Sequence, residues 1–149
     1  MVRQVDVGGK PELPRRAVAV GELSLGPATR RAVRRRAVEK GDPISTGELA
    51  GLLAMKRTSE LIPHCHVVRL TSSRVDLGVT GRGVRVRAEA EALDRTGVEM
   101  EALVGATVAL LTVWDMVKYL EKNPRGLYPN TRLGPVRVVT KQKGAKVRR

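Results

Sequence analysis

Residues 84–92, VRVRAEAEA, alternate apolar and charged positions without a break. A period of two sends every apolar side chain to one face, so the segment reads as a half-buried β-strand. Residues 67–79 carry Val67, Arg69, Val75, Leu77 and Val79 at strand-like spacing, and Gly81-Arg82-Gly83 separates the two runs. Together they predict a hairpin. RRAVAVGELSL (15–25) and GPVRVVT (134–140) read as two further strands. Pro27 opens a helix expected to run through ATRRAVRRRAVEK to Lys40 and to stop at Gly41. Asp42-Pro43 is a second start, with Asp as N-cap and Pro as first helical residue. That helix carries Leu49, Leu52, Leu53, Met55 and Ile62 and is expected to end at Pro63. A third, longer helix is predicted over 97–119, because in Ala102–Trp114 only Thr107 and Thr112 are polar.

The resulting order is β-α-α-β-β-α-β. Without one of the two early helices it is the split β-α-β pattern of a ferredoxin-like sandwich. The expected class is α+β, an antiparallel sheet with helices on one face and one extra helix. A chain of 149 residues forms one domain, 1–149. Residues 1–13, with Gly8, Gly9 and Pro11, read as an N-terminal arm, and 142–149 as a basic tail whose one core residue is Val147.

Composition sharpens this picture. There is no Phe, one Trp and two Tyr within a 42% hydrophobic chain, so Val, Leu and Ala must fill the core. Such a core is thin per element, and burial between subunits is expected to supplement it. The net charge of +13, from 28 Lys+Arg against 15 Asp+Glu, implies an anionic partner. Cys65 is the single cysteine, which fits a reducing compartment. The apolar runs fall short of the ~20 residues of a membrane span. No secretory apolar segment opens the chain. The expectation is a cytoplasmic protein with no membrane partner.

Several residues are candidates for chemistry. Asp115 and Lys118, three apart, share a helix face. They make either a surface ion pair or a proton-transfer carboxylate tuned by an ammonium. Glu99 and Glu101 lie in the first turn of that helix, where acids offset the dipole. Glu101 precedes Asp115 by 14 residues, which returns it to within about 40° of the same face but roughly 21 Å away. One small ligand cannot bridge that gap within a chain, so joint action requires a second subunit. Lys40-Gly41-Asp42 is a charged corner at which an anion could be met. Lys56 and Arg57 sit late in the second helix, near its negative end. His64-Cys65-His66 lacks zinc-site spacing; no metal and no cofactor is expected, and a histidine there suits acid/base work or a hydrogen bond to a ligand. Arg30, Arg31, Arg34, Arg35 and Arg36 form either a solvated basic face or a nucleic-acid contact. Scarce aromatics offer few stacking platforms, and no P-loop, G-x-G-x-x-G or helix-turn-helix is present. A basic nucleic-acid-binding module is the alternative that charge alone supports; the preferred reading has no nucleic-acid partner.

KGD at 40–42, MKRTSELIPHCH at 55–66, TGVEMEAL at 96–103, TVWDMVK at 112–118 and LGPVRVV at 133–139 occur in the order found in the cyclic pyranopterin monophosphate synthase family of molybdenum cofactor biosynthesis. The chain resembles that family over about residues 5–141. The resemblance implies a lyase that converts 3′,8-cyclo-7,8-dihydro-GTP, made from GTP by a radical-SAM enzyme, into cyclic pyranopterin monophosphate with release of pyrophosphate. It implies a homo-oligomer, a hexamer built as a trimer of dimers, with active sites at the dimer interface. It assigns catalysis to Asp115, Lys118 and Lys40, and substrate contacts to His64, Cys65, His66, Met100 and Glu101. Lys56 matches a further basic position of the family motif and is expected among the substrate-binding residues, beside His66, Met100 and Glu101. Val67 stands where the family has proline, and KQKGAKVRR replaces its Gly/Ser-rich end.

Overall fold

The computed structural model describes residues 1–144; Val147 and the rest of 145–149 lie outside the described residues. The strand β1 (Leu13–Ser24) is followed by the helices α1 (Pro27–Arg34), α2 (Pro43–Met55) and α3 (Thr58–Leu61). Next come β2 (Leu70–Val79), β3 (Gly83–Asp94), the long helix α4 (Glu99–Glu121), β4 (Arg132–Leu133) and β5 (Arg137–Lys143). The sheet has five strands, all pairings antiparallel, in the order β2-β3-β1-β4, with β5 also on β1. β4 takes the end of β1 at Leu23 and Ser24, and β5 takes Arg15 to Val20. This is the ferredoxin-like α+β sandwich expected from the element order.

The strict alternation of β3 does what its period requires. Val84, Val86, Ala88, Ala90 and Ala92 are buried against the helices. Arg87 and Glu89 point the other way and join Arg16 of β1 in a charged ladder, with Arg16–Glu89 at 2.6 Å and Arg87–Glu89 at 2.7 Å. The floor beneath α4 is made of small residues: Ala17 and Ala19 from β1, Ala88, Ala90 and Ala92 from β3. Ala102, Ala106 and Ala109 of α4 belong to the same core. By length and composition α4 is apolar enough to cross a membrane. Here it is the central core helix, with Ala102, Ala106, Ala109, Leu110, Val113 and Val117 fully enclosed.

Three expectations are corrected. α1 stops at Arg34, six residues before Lys40. Its end is closed by hydrogen bonds from Ala37 N to Ala32 O and from Arg36 N to Val33 O, and Arg36 turns into the left-handed region at φ 53°. This is the Schellman closure that glycine ordinarily makes. It turns the chain so that Val38 is buried. The second helix is broken after Met55. The buried Thr58 hydroxyl donates to the Met55 carbonyl at 3.0 Å, a local bond that competes with helix continuation. Met55 is buried while Leu49 and Leu53 are exposed. The outer strands also shift: β2 begins at Leu70 rather than at 67, and β5 starts beyond Pro135 and reaches Lys143.

α2 and α4 approach closely because glycines line their contact. A Cβ built on Gly51 would stand 2.7 Å from the Gly105 carbonyl oxygen, and one on Gly47 would stand 3.0 Å from the Ala109 carbonyl. Backbone cannot yield as a flexible side chain does. Gly51→Ala is therefore expected to destabilise the fold by about 1–3 kcal/mol despite its better helix propensity. Urea unfolding of the variant beside wild type measures this, and an unchanged midpoint would contradict the close contact.

Candidate active site

The candidate residues other than Lys56 gather at two places at opposite ends of α4. The first lies near the helix C-terminus, where the corner between α1 and α2 meets it. Gly41, at φ 102°, makes the turn. Asp42 caps α2, accepting from Ile44 N at 2.9 Å and Ser45 Oγ at 2.9 Å. The Ser45 hydrogen bond is the main reason its carboxyl lies below the usual range. The Tyr119 hydroxyl accepts the Glu39 N–H at 2.8 Å and ties the corner to α4. Lys40 then reaches across, donating to the Asp115 carbonyl at 3.0 Å and to its Oδ2 at 3.1 Å. Lys118, one turn on, donates to Oδ1 at 2.6 Å.

Asp115 is thus a carboxylate held between two ammonium groups. Lys118 first, and Lys40 second, draw its pKa below the ordinary value, and Asp115 raises that of Lys118 in return. All three side chains are about half exposed, so the cluster is an open, singly positive site. Spacing alone left the Asp115–Lys118 pair with two readings; the resemblance grouped Lys40 with them, and the structure brings its ammonium from a different element to the Asp115 carboxylate.

The second place is a cavity of about 380 Å³ at the N-terminus of α4. His64, Cys65 and His66 line it from the connection between α3 and β2, and Met100 and Glu101 from α4. Glu101 is buried. Burial raises its pKa, and the charges of Glu99 and Asp94 add to this. Burial likewise lifts the Cys65 thiol, with Glu101 contributing, so this cysteine is no ready thiolate. Arg15, from β1, fixes the loop leading into the helix by donating to the Asp94 carbonyl at 3.2 Å and the Arg95 carbonyl at 3.0 Å.

Glu99 and Lys141 also line the cavity and form an ion pair there. Burial opposes the charge on Glu99, but the Lys141 hydrogen bond helps bring its pKa below the ordinary value. Sequence reasoning assigned Glu99 to the helix dipole and placed Lys141 only in a strongly basic end. Lys141 arrives through the pairing of β5 with Ala17 of β1, and nothing in its local sequence marks it. Lys56, exposed at the end of α2, lines neither place. Among the described residues no group of three or more His, Cys, Asp or Glu is placed to hold a metal ion.

Fold and site together define a class: an antiparallel α+β sandwich domain that gathers cationic and titratable side chains at both ends of one helix. The MoaC family pattern matches residues 4–144, and the chain belongs to the MoaC family. A probable cyclic pyranopterin monophosphate synthase of Archaeoglobus fulgidus is 48% identical over 145 residues, covering 97% of this chain and 93% of that protein. One of the same name from Sulfolobus acidocaldarius is 44% identical, covering 93% and 97%. A probable cyclic pyranopterin monophosphate synthase accessory protein of Methanothermobacter thermautotrophicus is 43% identical, covering 95% and 89%.

The raised pKa of Glu101 has a stability consequence. Its folded state holds the proton above the ordinary carboxylate pKa, so the charged form costs stability once the pH rises through the folded value. Below the unfolded pKa the cost vanishes. Glu101→Gln is therefore expected to raise Tm at neutral pH by about 2–4 °C, the shift that about 1 kcal/mol gives in a domain of this size. The gain should disappear as the pH falls below the ordinary carboxylate range. Thermal melts from pH 4 to 8 follow it, and a gain that instead grows on acidification would contradict the assignment.

Proposed function

We propose that this chain is a cyclic pyranopterin monophosphate synthase that acts on 3′,8-cyclo-7,8-dihydro-GTP and releases pyrophosphate. The observation that carries the reading is the Asp115 carboxylate bracketed by Lys40 and Lys118, in a chain matched along nearly its whole length by relatives of that name. Closing the cyclic phosphate requires a substrate hydroxyl to attack the α-phosphorus while pyrophosphate leaves. Ammonium groups neutralise charge developing on those oxygens. Rearranging the base rings requires protons to move, and Asp115 with its lysines supplies a positioned acid/base system. On the same reading His64, Cys65, His66, Met100 and Glu101 receive the other part of the substrate. The substrate itself comes from a radical-SAM enzyme acting on GTP.

The two places cannot serve one substrate within a single copy. α4 runs unbroken from Glu99 to Glu121, which keeps Glu101 and Asp115 roughly 21 Å apart along its axis. The outer stripe of α4 joins them. Met100, Val104, Leu111, Asp115 and Lys118 fall on one side of the helix at 3.6 residues per turn. Met100 and Leu111 on this stripe are exposed. Two copies related by a twofold axis and packed antiparallel on this stripe would set the Met100–Glu101 end of one against the Asp115–Lys118 end of the other. Each dimer then has two complete sites, and three dimers build the hexamer.

Co-expressing Asp115→Ala with Glu101→Ala tests the sharing, with pyranopterin product measured after addition of the cyclised dihydro-GTP. Each variant alone is expected to be inactive. Random pairing makes half the dimers mixed, each with one intact site, so the mixture should recover about a quarter of wild-type turnover. Recovery no greater than the two variants assayed separately would refute shared sites, and wild-type protein that makes no product would refute the function. Leu111→Glu is expected to keep its circular dichroism spectrum while lowering both its mass in solution and its turnover.

A further inference from the structure

The N-terminal arm does something the core does not require. Residues 1–6 add little to the apolar interior: Met1, Val2 and Val5 are strongly exposed. Among the described residues, the hydrogen bonds they make beyond the arm itself go to one segment. His64 Nδ1 meets the Arg3 carbonyl at 2.8 Å, Gln4 Nε2 donates to the Cys65 carbonyl at 2.6 Å, and His66 Nε2 meets the Val5 carbonyl at 2.6 Å. A turn anchors the base of the arm, with Gly8 N donating to Asp6 Oδ1 at 2.7 Å and Lys10 N to the Val7 carbonyl at 3.0 Å. Three successive arm residues are thus matched to three successive residues of the cavity lining.

A peptide carbonyl accepts and cannot donate, so the ring nitrogen facing it must carry the hydrogen. In the neutral imidazole this decides the tautomer of each ring. His66 holds its hydrogen on Nε2 and keeps Nδ1 as the acceptor. His64 holds its hydrogen on Nδ1 and keeps Nε2 as the acceptor. Free histidine favours the Nε2–H form, so the His64 state is one the arm must impose.

We propose that Arg3, Gln4 and Val5 are positioning residues of the active site: through their backbone carbonyls and the Gln4 amide they set the orientation and opposite tautomers of His64 and His66. Both histidines then meet the substrate as hydrogen-bond acceptors, suited to the N–H groups of a reduced, purine-derived ring. This rests on the reading of the α4 N-terminal cavity as half of the active site.

The chain has two histidines, so a nitrogen-15 spectrum of the labelled rings contains two spin systems. At about pH 8, above the ordinary imidazole pKa, the full chain is expected to show one Nδ1–H ring and one Nε2–H ring. Deletion of residues 2–6 should return both to the predominantly Nε2–H mixture. It should also raise KM for the cyclised dihydro-GTP about five- to tenfold, with a smaller change in kcat, the scale of losing a hydrogen bond or two. Gln4→Ala, which keeps the chain length and both carbonyls, should move KM the same way by about two- to threefold. A wild-type spectrum with both rings in the Nε2–H form would overturn the proposal, as would a truncated protein that keeps the Nδ1–H ring. The spectrum needs no substrate. If it shows the two tautomers while the protein makes no product, the functional reading fails and the arm's hold on the rings stands.

Discussion

The contact between α4 and the alanine floor of β1 and β3 is the constraint from which the other features follow. Ala17, Ala19, Ala88, Ala90 and Ala92 below, with Ala102, Ala106 and Ala109 above, bring backbone near backbone. Gly47, Gly51 and Gly105 do the same between α2 and α4. A core without phenylalanine, filled mostly by alanine and valine, has few large side chains to fill a wider gap, so close approach is how it reaches interior packing density. The result is one unbroken helix of 23 residues. Its buried faces are committed to the core, and its chemistry is left to its two ends and one outer stripe.

That geometry accounts for the electrostatic contrast between the ends. At the C-terminal end Asp115 is exposed, and two ammonium groups hold it ionised. At the N-terminal end Glu101 is enclosed, and burial favours its neutral form. Two carboxyl groups on one helix are thereby pushed in opposite directions by their surroundings, the arrangement by which a fold separates acid from base. In this fold the separation is also a distance along one unbroken helix, which is why the proposed function joins the two through a partner copy.

The sheet places the remaining groups. β1, the central strand, carries Arg15 to the loop ahead of α4 and holds β5 in the register that delivers Lys141 beside Glu99. The excess of positive charge is partly used in these ways. Arg16 and Arg87 balance Glu89 on the open face of the sheet, and Arg34 donates to the Thr80 carbonyl. Arg31, Arg35 and Arg36 remain exposed around the end of α1.

Where a segment's fate depended on its own period and caps, it was legible in the sequence. The alternation of 84–92, the Asp42-Pro43 start and the long apolar run before Asp115 each dictate local structure through side-chain direction or a local hydrogen bond, and each appears as read. The motifs likewise identified the family before any fold was drawn. What the sequence left open was set by groups distant along the chain. Arg36 ends α1 in a conformation usually reserved for glycine because the turn lets Val38 reach the core. Thr58 breaks the second helix with a hydroxyl buried by its neighbours. Lys40 reaches Asp115 across 75 residues, Lys141 reaches Glu99 across the sheet, and Arg3 and Val5 reach the two histidines. Local free energies select strands, helices and caps from neighbouring residues. The meeting of side chains that chain entropy would keep apart is decided by the packing of α4, and it was there that tertiary structure brought the candidate groups together.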